Sequence, residues 1–257
     1  MTSNVAYVFS EDFFRYDLGE GHPMSRKRLI LTHKLLQSLK LVDSSDSKIV
    51  RVQPKTIDEQ FVRKVHTLEY IEEVKRLSKT PGFRPEMGLG TSDCPVFKEM
   101  FETSMLIAGS TLLAGDLLLN GDYSAAFVLM GGLHHAFPAR AAGFCYFNDL
   151  AILIKQLEEQ GLRVAYIDTD LHHGDGVEHI FYDDPNVLTF SIHESGQFIF
   201  PGTGYPDESG GVNARGTKIN FPLYKYTFDD LFLEALSKYL PPIVNQFKPD
   251  IVVWQAG

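Results

Sequence analysis

A chain of 257 residues, 44% hydrophobic and 22% charged, is long enough to bury the core of an ordinary globular α/β protein. Its net charge of −9 argues against a nucleic-acid partner and suits a cationic one. Two cysteines, Cys94 and Cys145, far apart and without a C-x-x-C pair, exclude a disulfide framework and read as reduced thiols of a cytoplasmic protein. The N-terminus lacks the basic and apolar regions of a signal peptide. No segment approaches about 18 apolar residues without charge, so no membrane span is expected. In chain order, Val5–Phe9 reads as a strand and Arg26–Leu39 as an amphipathic helix. Residues 43–47 form a polar loop, Ile49–Val52 a short strand and Leu68–Leu77 a helix. A Gly/Pro-rich loop spans 80–95, and Pro95 is expected near the start of a long helix ending about Leu119. Ala125–Met130 is a strand, and Asn148–Gln160 is a helix capped by Asn148 or Asp149 and stopped by Gly161. Strands follow at Val164–Asp168 and Val187–Ile192, then a long loop from Glu194 to Gly216 and a strand at Thr217–Phe221. Thr227–Gln246 reads as a helix that Pro241-Pro242 should break, and Ile251–Gln255 is a last strand. Strands alternating with helices predict a three-layer α/β/α fold on a mainly parallel sheet, in one domain over 1–257.

The segment Val164 to Gly176 concentrates chemistry. A buried-type strand ends in Asp168, Asp170, His172, His173 and Asp175. Open α/β sheets place their sites just beyond such strand ends. On an extended backbone Asp168, Asp170 and His172 share one side, and crowding carboxylates there demands a cation. A second cluster, Gly131-Gly132-Leu-His134-His135-Ala-Phe137, also follows a strand and a glycine turn. Gly143-Phe144-Cys145-Tyr146-Phe147-Asn148 reads as core packing or as an apolar substrate wall. Phe198 to Gly204 lies in a long loop, where binding residues often sit. His22, His33, His66, His173, His179 and His193 read as structural.

Together these stretches resemble the histone deacetylase family of the arginase/deacetylase superfamily, and most of all its acetoin-utilisation-type bacterial and archaeal branch. The resemblance runs through His22-Pro23-Met24 with Arg28, Gly88–Pro95, Gly131–Phe137, Gly143–Asn148, Tyr166–Gly176, Ser191-Ile192-His193 and Phe200–Gly204. It implies Asp170 and His172 as zinc ligands, with Fe²⁺ able to take the same site. It implies His134 and His135 as the active-site histidines, backed by Asp168 and Asp175 respectively. Gly143, Phe144 and Phe200 would wall an acyl-lysine tunnel, Asp93 would hold the substrate backbone at its rim, and Arg28 would lie in an internal cavity that handles acetate. Asp168, Asp170, His172, Ser191 and Ile192 match a structural potassium or sodium site. Phe181, Asp184, Val187 and Thr217 match a second monovalent-cation site.

The activity implied is hydrolysis of acetyl-lysine or of a small acetylated amine, with His135 as general base and acid and His134 stabilising charge. No direct nucleic-acid or membrane partner is expected. The resemblance also implies a third zinc ligand, an aspartate after a strand like Ile251–Gly257, and a later tyrosine that stabilises the oxyanion. Both fall outside these residues, so the chain is expected to continue beyond Gly257. Two other readings compete: an inactive fragment or acyl-lysine-binding module, and an arginase-like ureohydrolase. The latter needs a carboxylate where Gly174 stands.

Overall fold

The computed structural model describes residues 4–45 and 47–257. The expectations for the extreme N-terminus and for position 46 therefore lie outside the described residues. The chain forms two compact units, Met1–Leu153 and Ile154–Gly257.

In the first unit, strands β1 (Val5–Val8), β2 (Ile49–Val52) and β3 (Ala125–Val128) form a parallel sheet in the order β2-β1-β3. Its helices are α1 (Arg26–Ser38), the short α2 (Glu59–Val62), α3 (Leu68–Lys79) and α4 (Met100–Leu119). The side chains of Ser25, Asp58 and Thr67 cap the first three. Helix α1 turns Leu29 and His33 inward, and the His33 ring stacks on Phe9 at 3.9 Å. Helix α4 starts at Met100, later than Pro95 suggested, because Glu99 adopts a left-handed backbone (φ 64°) that no helix continues through. Pro95 instead receives a hydrogen bond on its carbonyl from the Tyr146 hydroxyl. By length and composition α4 could cross a membrane, but 61% of its apolar window is buried inside the fold, as a core helix requires.

Helix α5 (Asp149–Glu159) leads into the second unit. There β4 (Val164–Asp168), β5 (Val187–Glu194), β6 (Lys218–Leu223) and β7 (Ile251–Gln255) pair in parallel in the order β6-β5-β4-β7. Helices α6 (Asp175–Ile180) and α7 (Asp229–Phe247) complete it. Strand alternation divides this sheet into two faces. Ala165, Ile167, Leu188, Phe190 and Ile192 pack against the apolar stripe of α7, which includes Phe232, Leu236, Leu240, Ile243 and Val244. Tyr166, Asp168, Thr189, Ser191 and His193 occupy the opposite, polar face, all buried. Helix α7 runs unbroken through Pro241-Pro242, contrary to expectation. Both prolines are exposed, and so are Ser237 and Lys238, whose carbonyls lose their helical donors and can turn to water. Among the described residues β3 pairs only with β1, and β7 only with β4.

Candidate active site

The extended chain stops at Asp168, and residues 170–172 form a bend. Strand geometry therefore does not align the acids. Two side-chain turns do. Asp168 Oδ1 accepts the Asp170 N–H at 3.0 Å, and Asp170 Oδ1 accepts the His172 N–H at 2.8 Å. The second turn leaves Asp170 Oδ1 3.2 Å from His172 Nδ1, with the side chains 21% and 34% exposed. Two ligand atoms each about 2.1 Å from a tetrahedral ion stand about 3.4 Å apart. The pair is thus spaced as two neighbouring ligands of one ion, and it remains reachable from solvent. Among the described residues no group of three His, Cys, Asp or Glu side chains is arranged to hold a metal. A Cβ added to Gly257 would lie 3.8 Å from Asp170 Oδ2.

Phe200 approaches this pair, its half-exposed ring edge-on to His172 at 6.1 Å. Asp168 is fully buried, and its Oδ2 accepts the Tyr166 hydroxyl at 2.5 Å. The β4–β5 register sets Asp168 beside Ser191, which pairs with His193 Nδ1 at 2.8 Å. Ile192 faces α7, so only its backbone could contribute to a cation site. Asp175 opens α6, mostly buried, and accepts the Gly176 N–H. His173 is structural as expected: it is buried, meets Thr203 Oγ1 at 2.9 Å and packs on His193. Gly204 (φ +85°) lets the Phe200–Gly204 loop pass these rings, since a Cβ there would stand 2.4 Å from His193 Nε2. Burial and the neighbouring His173 pull the His193 pKa down to about 4. The second cation site does not fit this chain. The ammonium of Lys218 already donates to the Asp184 carbonyl, the Val187 carbonyl and Thr217 Oγ1.

In the first unit His134 and His135 are both buried, with ring centroids 4.0 Å apart. Their loop hangs on Asp149, a fully buried carboxylate that accepts the Gly132 and Leu133 N–H groups and the Thr111 hydroxyl. Burial raises the Asp149 pKa, while these donors oppose the shift. Asn148 supports the same loop, donating to the carbonyls of His134 and Ala136. Gly143 packs flat on His135: a Cβ would fall 2.2 Å from the ring's Cδ2, and φ is +53°. Phe144 follows with φ +70°, held by the Tyr16 hydroxyl on its carbonyl. Asp93 accepts the Gly143 N–H at 2.8 Å, and His22 packs its ring against Phe144 at 4.5 Å. Asp93, Gly143, Phe144 and the two histidines therefore form one cluster. Arg28 is exposed on α1, whose inward face carries Leu29 and His33. Asp149, Tyr16 and His22 were not singled out from sequence as site residues.

Over residues 22–257 the sequence matches the family described as "Histone deacetylase domain". The chain belongs to the histone deacetylase family. Within that family it is 41% identical to the acetoin utilization protein AcuC of Bacillus subtilis (strain 168), over 98% of this chain and 65% of that protein. Identity to AcuC of Staphylococcus aureus (strain MSSA476) is 40%, with the same coverages. The chain thus spans just under two thirds of the length of these relatives. It also resembles the crystal structure of a histone deacetylase homologue from Aquifex aeolicus, with a TM-score of 0.90 and 32% identity over 98% of this chain and 68% of that one. A homologue complexed with SAHA matches with a TM-score of 0.89 and 31% identity, over 99% and 68%. The parallel sheets flanked by helices accordingly make the α/β deacetylase-like fold that the sequence pattern predicts.

Proposed function

We propose that this chain carries the metal-binding strand end and the histidine pair of a metal-dependent deacetylase. Its substrates would be acetylated lysine side chains or small acetylated amines. The observation that carries the proposal is the 3.2 Å approach of His172 Nδ1 to Asp170 Oδ1 at a solvent-reachable strand end. Those two side chains would hold a zinc or ferrous ion, which when bound supplies Lewis acidity to the amide carbonyl and to water. His135 takes the proton of the attacking water and returns it to the leaving amine. His134 holds a positive charge toward the oxygen that becomes negative. Gly143 and Phe144 exclude water and guide a narrow apolar chain, while Asp93 fixes the loop they stand on. Asp168 and Ser191, with backbone carbonyls of Asp170, His172 and Ile192, offer a monovalent cation an oxygen-rich seat beneath the site.

The test is acetate release from an acetyl-lysine peptide. Chelation and Asp170→Ala should each abolish it, with zinc or iron restoring only the chelated wild type. His135→Ala should slow turnover by about 100-fold or more, the scale of losing a general base. Turnover indifferent to both chelation and Asp170→Ala would reject the proposal.

A further inference from the structure

Lys218 opens β6 with its whole side chain inside the second unit, only 2% exposed. A buried lysine without partners is costly. Here every N–H is used: Nζ donates to the Val187 carbonyl at 2.6 Å, Thr217 Oγ1 at 2.8 Å and the Asp184 carbonyl at 3.1 Å. Thr217 spends its own hydroxyl hydrogen on the Ala214 carbonyl, so toward Nζ it can only accept. The three oxygens converge on one point and all require a positive charge there. Burial draws the Lys218 pKa down to about 8, while Asp184, Glu178, Glu158 and Asp183 oppose the shift. The neighbouring cation, Lys155, is engaged with side chains beside the cage: it donates to Glu158 at 2.9 Å and to Asp184 Oδ2 at 3.4 Å, and it covers the Phe181 ring.

We infer that Lys218 is a tethered monovalent cation, its ammonium filling an oxygen cage that would otherwise take a free ion of ammonium or potassium size. The backbone oxygens of Asp184 and Val187, which the family resemblance assigns to a bound cation, thus serve a side chain in this protein. The inference is independent of the deacetylase reading, because the cage reads out in stability and not in turnover.

The experiment is thermal unfolding of the full chain, wild type, Lys218→Ala and Lys218→Met, in potassium, ammonium or choline chloride at one ionic strength. In choline, which is too large for the cage, Lys218→Ala should melt about 4 °C or more below wild type. Potassium or ammonium should recover at least half of that gap. The wild-type shift between salts measures ions bound elsewhere and is subtracted. Lys218→Met, whose thioether fills the cage, should show no extra response. Folding of Lys218→Ala only in potassium or ammonium would equally support the tethered ion. A Lys218→Ala protein that no salt restores, folded or not, or one that responds to potassium only as wild type does, overturns it.

Discussion

Side chains at this site are held by single atoms of their neighbours, and Gly143 shows how little room is left. Its missing Cβ is the space occupied by the His135 ring, at 2.2 Å from Cδ2, and its backbone is left-handed. Gly143→Ala should therefore cost about 1–3 kcal/mol in strain and overpacking, and should displace His135. Urea unfolding reads the first effect and turnover the second; an alanine variant with wild-type stability would show that the loop yields freely. The residues that line this space were legible because they fall in contiguous motifs after strand ends. Asp149, His22 and Tyr16 were not, since Asp149 binds Leu133, Gly132 and Thr111 at 16, 17 and 38 positions' distance and the partners of His22 and Tyr16 lie 71 and 128 positions away. No local pattern marks a carboxylate whose task is to hold a distant loop. The alignment of Asp168, Asp170 and His172 was expected for the wrong reason: side-chain turns, and not an extended strand, gather them.

Most elements follow from short-range rules, and their boundaries shift where tertiary contacts intervene. Strands β2, β4 and β7 fall where apolar runs between turn signals put them. Pro95 misplaced the start of α4 because helix preference is overridden by the left-handed Glu99 and the Tyr146 hydrogen bond. Helix α6 was missed, having only six residues and glycines around it. At the head of α5, Asn148 does two things that sequence could not separate. Its Oδ1 accepts the Ala151 N–H as a cap, and its Nδ2 donates to the buried His134 and Ala136 carbonyls. Asn148→Ala should lose about 1 kcal/mol for the cap and about 1–3 kcal/mol more for carbonyls left unsatisfied. Asn148→Asp keeps the cap but sets oxygen against oxygen. It should be at least as destabilising as alanine, measured by urea midpoints at neutral pH. A near-neutral Asn148→Asp would mean that the cap alone matters.

For the molecule as a whole, acid should act through buried histidines. His66 is 2% exposed, and its Nε2 accepts the Asn148 N–H at 2.9 Å, which requires a neutral ring. Burial lowers its pKa to about 4, against weak support from the carbonyls of Phe137 and Pro138. A depressed histidine pKa means that the unfolded chain takes up the proton first. The stability His66 contributes is thus present above about pH 6.5 and is lost as pH falls toward 4. The linkage amounts to about 2 kcal/mol between pH 7 and pH 5. His66→Gln, which keeps an acceptor but cannot titrate, should flatten that part of a stability-against-pH curve; an unchanged slope would move the cause to other groups.

The two sheets also bear on which further strands the fold can accept. β3 and β7 each leave one row of backbone N–H and C=O groups without a strand partner among the described residues. On β7 the outward side chains Val252 and Trp254 are about half exposed. Such edges are templates for pairing with another copy. Each of these rows is therefore open to pairing with a further strand, from the same chain or from another.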